Sequence, residues 1–411
     1  MNFPGRSSKI IIERINKAYS GIALSLGPIS IPIQSILELF KSYQTNNERI
    51  ELRDCPYDLL TYAVVSAVDT LVADRVVSGP GSGGWGRSDV AYSAYLYGEG
   101  GEVVTDSVST TVVTMEALAR FFSSIDTLEK WKSGAKQAWW EQTIRQQVRE
   151  YADKRWNPRT GEGGTLKQGK EGDSVYAPRY RHTAWLVRLW YILPGTFKNL
   201  EKTVQALIDG FDFVQWNTQK VATPIAAYTA LQRLGTRKTS EGIVSITKRE
   251  FLQDALIDIV KETYNSDING WTSGIDPQRG RNLYTLFVLA ELAEHWEHVD
   301  NELRGMMDKA LLRTMEDSCS NCDGSRYISM INSQEADINS TCLVFAALVR
   351  KPSLQKNEKK FFEETAKFLI YRFSELKSDT ETGLFSWTVA YFVSAMCDIL
   401  AGEAPVTESK T

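Results

Sequence analysis

Apolar residues along this chain recur every three or four positions, and no strongly alternating strand pattern repeats. The helices this spacing predicts come in pairs. The first member of each pair is longer and more charged, with one apolar stripe. These lie near 57–77, 135–155, 195–214, 246–265, 301–317 and 356–376, as in AKQAWWEQTIRQQVREYADKRW (135–156). The second member is apolar nearly all round and rich in small residues: DSVSTTVVTMEALARF (106–121), RHTAWLVRLWYIL (181–193), TPIAAYTALQRL (223–234), NLYTLFVLAEL (282–292), DINSTCLVFAAL (337–348) and FSWTVAYFVSAM (385–396). A helix apolar on every side belongs inside a domain, and one with a single stripe belongs on its surface.

The inner helices share a register. Five carry Thr at one matching point (Thr111, Thr183, Thr285, Thr341, Thr388), followed seven residues later by Leu118, Trp190, Leu292, Leu348 or Ala395. In the remaining helix Pro224 takes the Thr place and Leu231 follows. Six inner and six outer helices in alternation predict an all-α (α/α)6 toroid over 56–402, with a helical extension at 1–55 and a disordered tail at 403–411. Outer-to-inner connections are long and rich in Gly and Trp, such as SGPGSGGWGRSD (78–89), NPRTGEGGTLKQGKEGDS (157–174) and NGWTSGIDPQRGR (269–281). Inner-to-outer turns are mostly shorter. The asymmetry gathers the long loops at one mouth, over the inner-helix N-termini, where unpaired N–H groups and the positive dipole ends collect. The Thr row reads as capping of those helices.

Composition narrows the function classes. With 43% hydrophobic and 24% charged residues the chain is an ordinary globular protein, and a net charge of −4 supplies no basic field for nucleic acid. GIALSLGPISIPI (21–33) is too short to span a bilayer and holds two prolines. The first 21 residues have charges inside their apolar run and no cleavage signature, and five scattered cysteines form no disulfide framework. The expectation is a cytoplasmic protein without a membrane span. The 11 tryptophans supply flat apolar area suited to a core or to a stacking platform.

Alternating helices joined by GGWG (83–86) and NGW (269–271) resemble the terpenoid cyclase and prenyltransferase superfamily of α/α toroids over roughly 57–400, without its full Gln-containing repeat motif. Class II cyclases of that superfamily carry D-x-D-D-T-A at the start of an inner helix, and its middle aspartate donates the initiating proton. The same place reads Asp337-Ile338-Asn339-Ser340-Thr341-Cys342. The resemblance implies a cyclase-like location, but an amide stands where the proton donor belongs, and an amide is no strong acid. Class II cyclases also generally build their cavity between two toroids, and this chain holds one. The protein prenyltransferase branch implies zinc held by Asp, Cys and His. Asp317-Ser318-Cys319 imitates the first two ligands, but no histidine follows it. The Cys/His zinc motifs of lanthipeptide cyclases and the Cys-Gly-Glu-Gln stretch of thioester domains are absent from the sequence.

The predicted mouth gathers candidate side chains. Asp337, Asp106 and Glu335 are the candidate catalytic acids, and Asp89 joins them if a pair of carboxyls serves glycoside hydrolysis. Trp85, Asp89, Arg179, Tyr180, Arg181, His182, Trp271, Arg281, Asn339 and Trp387 are the candidate ligand-binding residues. APRYRHTAW (177–185) suits an anion at a helix N-terminus, unless Arg179 and Arg181 pair with acids across the mouth. The Gly-rich stretches 79–86 and 161–164 lack P-loop spacing. His295-x-x-His298 and Cys319-x-x-Cys322 have a zinc inventory. A helix of about 17 residues between them separates the pairs by on the order of 25 Å, so the expectation is two surface histidines, a reduced CxxC loop and no metal or cofactor. Two classes of function follow. One is a diverged, cyclase-like toroid that binds a small hydrophobic or anionic ligand, or a segment of a partner protein. The other is an enzyme, either isoprenoid-processing with an altered acid or glycosidase-like.

Overall fold

A computed structural model describes residues 108–124, 145–168, 174–178, 180–196, 198–211, 221–235, 246–271, 281–329, 335–375 and 386–400, with a scatter of positions between 63 and 85. The predicted N-terminal extension and C-terminal tail lie outside the described residues.

The inner helices are α1 (Val108–Ser124), α3 (Tyr180–Ile192), α5 (Ala222–Gly235), α7 (Arg281–Ala293), α9 (Ile338–Arg350) and α11 (Ser386–Leu400). Between them run the outer helices α2 (Gln146–Lys154), α4 (Leu200–Asp209), α6 (Ile246–Glu262), α8 (Asn301–Glu316) and α10 (Lys356–Glu375). Helical, buried Ala63, Val64, Ala67, Val68 and Leu71 mark a further outer helix ahead of α1. The inner helices pack in the order α1, α3, α5, α7, α9, α11, and α11 closes back on α1. The ring is shut, and the protein is an (α/α) toroid.

The apolar helices go inside because they have no polar face to offer water. From Asn339 to Val349 every residue of α9 is buried. In α8, Leu303, Met307, Ala310, Leu311 and Met315 form one buried stripe, at the three- and four-residue spacing of a surface helix.

The outer-to-inner connections hold more order than their Gly-rich sequences suggest. Each of three folds into a short antiparallel hairpin: β1 (Gly164–Gln168) with β2 (Ser174–Pro178), β3 (Tyr264–Asn265) with β4 (Gly270–Trp271), and β5 (Cys319–Ser320) with β6 (Arg326–Tyr327). Strands of two residues carry too little alternation to register in a sequence. The β3–β4 turn passes through Asn269 at φ 47°, a left-handed conformation that Asn tolerates.

The repeated register of threonines has a different task from capping. Thr285 Oγ1 accepts the backbone N–H of Trp271 at 2.9 Å and donates to the Trp271 carbonyl at 3.1 Å. The Trp271 indole then donates to the carbonyl of Val260, near the end of α6, at 2.9 Å. One tryptophan thus ties an outer helix to its inner partner. Trp85 repeats the device, with its N–H on Thr111 Oγ1 at 2.9 Å and its indole on the Leu71 carbonyl at 2.5 Å. Thr183 takes the N–H of Gly163 and Thr341 that of Ile328, at 2.9 and 3.0 Å. The motif also dictates its glycine: a Cβ on Gly270 would lie 2.4 Å from Thr285 Oγ1.

Thr285→Val keeps the shape and removes the acceptor, leaving the Trp271 N–H buried and unmatched. Urea denaturation should show a loss of about 1–3 kcal/mol, with Thr285→Ser within about 1 kcal/mol of the parent.

Candidate functional site

The inner helices begin at the mouth, and Asp337 opens α9 as its N-cap. One carboxylate oxygen accepts the Ser340 N–H at 3.1 Å and the other accepts the Ser340 hydroxyl at 2.5 Å. Its carbonyl takes the Thr341 hydroxyl at 2.7 Å. Both oxygens of this candidate acid are therefore acceptors in a helix cap. Asn339, in the cyclase-acid place, is buried and accepts the Thr388 hydroxyl at 2.6 Å, bridging α9 to α11. Glu335 is exposed two residues ahead of the cap.

The other candidates divide. Trp85 and Trp271 are fully buried in their clasps. Tyr180 packs against Gly210, where a Cβ would meet its ring at 2.7 Å, which directs it to the end of α4. Burial there raises the Tyr180 phenol above its usual pKa. His182 is buried beside Thr183 and Arg181 is half-buried. Asp89, Asp106, Arg179 and the side chain of Arg281 lie outside the described residues.

Trp387 stays partly exposed at the second position of α11 and makes edge contacts with Phe287 of α7 at 6.0 Å and Tyr391 at 6.1 Å. Phe287 is partly exposed too, although its neighbours Leu286 and Val288 are fully buried. Phe287 and Trp387 stand one turn before Glu291 and Tyr391, so the two rings form an apolar wall on the helix faces that carry the hydrogen-bonded Glu291–Tyr391 pair.

Below that wall lies a charged floor that the sequence reading did not assemble. Arg188 of α3 is 1% exposed and forks onto Glu116 of α1, Nε to Oε1 at 3.1 Å and Nη2 to Oε2 at 2.5 Å. Its Nη1 reaches Glu291 of α7 at 2.6 Å. Glu291 also accepts the Thr229 hydroxyl of α5 at 3.2 Å and the Tyr391 phenol of α11. One turn on, Glu294 accepts Arg120 at 2.6 Å and Arg233 at 2.5 Å, with Arg350 at 3.7 Å. Asp398 takes the other arm of Arg120 at 2.5 Å and faces Arg350 at 3.5 Å. Every inner helix contributes to this network.

Burial alone would raise the Glu294 carboxyl, but Arg120, Arg233 and Arg350 outweigh it and hold it well below the usual range. Burial and then the Glu291 carboxylate push the Tyr391 phenol well above its ordinary value. A sequence signal for this floor existed. Arg120, Arg233, Glu294 and Arg350 each stand nine residues after Thr111, Pro224, Thr285 and Thr341.

The expected pair of surface histidines needs correction. His298 is exposed, but His295 is buried against the Tyr228 ring at 6.0 Å. Burial lowers its pKa to about 4. Cys319 pairs with Tyr327 in an extended strand, and among the described residues no three His, Cys, Asp or Glu side chains converge.

No protein-family model matches the chain, and no curated protein matches it in sequence. Solved structures do resemble it in fold. The type II terpene cyclase MstE from Scytonema matches with a TM-score of 0.52 at 11% identity, over 83% of this chain and 98% of that one. A variant of that cyclase in complex with the substrate geranylgeranyl dihydroxybenzoate matches with a TM-score of 0.53 at 11% identity, over 84% and 98%. A family 76 glycoside hydrolase from a bovine Bacteroides thetaiotaomicron strain matches with a TM-score of 0.54 at 10% identity, over 85% and 79%. The toroid is thus the fold of a terpene cyclase and of a glycoside hydrolase alike. No helix among the described residues is long and apolar enough to cross a membrane.

Glu294→Gln leaves three arginines short of an anion. It should cost about 2–4 kcal/mol in chemical denaturation, the part-exposed arms of Arg120 and Arg233 keeping it from being larger. His295 gives a separate pH signature. The unfolded imidazole takes a proton near pH 6.5 and the folded one only near 4, so its share of stability is complete above 6.5 and is lost as the pH falls toward 4. His295→Phe should flatten the stability profile across that window, by on the order of 3 kcal/mol between its ends.

Proposed function

We propose that this toroid binds an amphipathic small molecule of isoprenoid type in its interior, admitted over the inner-helix N-termini, and that it does not start a cyclisation by protonation at Asp337. The observation that carries this reading is the pairing of a half-open aromatic wall, Phe287 and Trp387, with a cap in the cyclase-acid place. Apolar rings left partly wet inside a ring of helices gain free energy when a hydrocarbon covers them. Asp337 is committed to Ser340, and Asn339 to Thr388. The fold neighbour that binds geranylgeranyl dihydroxybenzoate gives a precedent for such a ligand in this architecture.

The test is calorimetric titration with farnesol, joined to mass spectrometry after incubation with geranylgeraniol and squalene. Saturable binding and unchanged substrate are expected. Trp387→Ala should weaken farnesol binding by about tenfold or more, the worth of one covered ring. Asp337→Asn should leave it unaltered. A cyclised product that disappears in Asp337→Asn would contradict the reading and make the protein an enzyme.

A further inference from the structure

Trp185 of α3 is 2% exposed, and its indole N–H meets no acceptor among the described residues. A buried donor of this kind costs free energy unless something accepts from it. Its position says what that acceptor can be. The Arg188 guanidinium lies over the Trp185 ring, 4.4 Å from its centroid, and goes on to bind Glu116 and Glu291. The ring neighbours of α3 are α1 and α5, so Arg188 passes through the interior of the ring to reach Glu291 on α7, the second helix along. Trp185 therefore sits on the axial side of α3, one turn nearer the mouth than Arg188. The facing wall is continuous with the same floor: Glu291 holds Tyr391, and Phe287, midway along α7, and then Trp387, at the start of α11, follow toward the opening.

We infer that the Trp185 indole N–H is the polar anchor of the interior site, taking an uncharged acceptor oxygen such as a hydroxyl or carbonyl at the inner end of an apolar ligand. The charge of the floor selects the neutral form. Arg188 spends its Nε, Nη1 and Nη2 on carboxylates, and across the floor Arg120, Arg188, Arg233 and Arg350 balance Glu116, Glu291, Glu294 and Asp398. An anionic head at Trp185 would lose its hydration above a floor whose guanidinium groups are already matched by carboxylates. A hydroxyl or ketone accepts from the indole without that desolvation cost.

This inference rests on the interior-ligand reading above, and the experiment separates the two. Farnesol, farnesene and farnesoate present one skeleton with a neutral acceptor, no acceptor and an anion. Wild-type protein should bind farnesol about fivefold tighter than farnesene, the worth of one hydrogen bond, and farnesoate weakest. Trp185→Phe, which keeps a ring and deletes the donor, should erase the farnesol preference while farnesene binding persists. In wild-type protein with 15N-labelled tryptophan, the Trp185 indole resonance should move on adding farnesol and stay in place with farnesene. That measurement holds even if the variant folds poorly. Farnesol and farnesene binding equally, an unaltered preference in Trp185→Phe, or tightest binding of farnesoate would each overturn the inference and leave the interior-ligand reading standing. Failure of all three probes to bind would overturn both.

Discussion

A ring of six helices encloses an axis, and whatever fills that axis decides what the ring can do. Here one short stretch at the C-terminal end of α7 and just past it governs the answer. Glu291 and Glu294, one turn apart, draw in Arg188, Arg120, Arg233 and Arg350 from the other inner helices, with Tyr391 and Asp398 completing the set from α11. Ion pairs this deep gain little net stability over an apolar plug, because desolvation offsets most of the Coulomb energy. Their effect is on register. A guanidinium that must meet two carboxylates from two helices fixes the rotation of each helix about its own axis. The floor closes the C-terminal end of the toroid.

The clasps do the complementary work at the other end. Trp271 and Trp85 each join an outer-helix carbonyl to an inner-helix threonine, so the long connections are pinned where they cross from the outer layer to the inner. With the ends fixed by clasps above and ion pairs below, the middle of the inner helices is free to carry rings that are not fully covered. Phe287 occupies that middle ground, and Trp387 stands nearer the mouth at the second position of α11. The same α7 that organises the floor presents part of the apolar wall.

The helices were legible because burial on all sides leaves a plain mark on composition, and the outer stripes leave a plain mark on period. The α9 stretch 337–348 is a case where both the boundary and the buried face agree with the pattern. The tryptophans misled for a physical reason. A Trp in a Gly-rich loop is equally suited to stack on a ligand or to bury itself, and only the Thr285 and Val260 acceptors decide between them. His295 was hidden similarly, since a helix-end histidine looks exposed until Tyr228 covers it. The floor was written in the sequence as charges nine residues past the threonine register, but pairing across helices needs the ring to be closed before it can be seen.

The central claim is that the toroid is a cup with a charged base and an apolar interior that takes a ligand. Xenon settles in apolar cavities and pockets without regard to hydrogen bonding. Crystals of the protein held under xenon pressure therefore test the claim most directly. The account predicts xenon inside the ring, against Phe287 and Trp387 and on the mouth side of Tyr391. Xenon confined to the outer surface, with side chains filling the axis from mouth to floor, would contradict it.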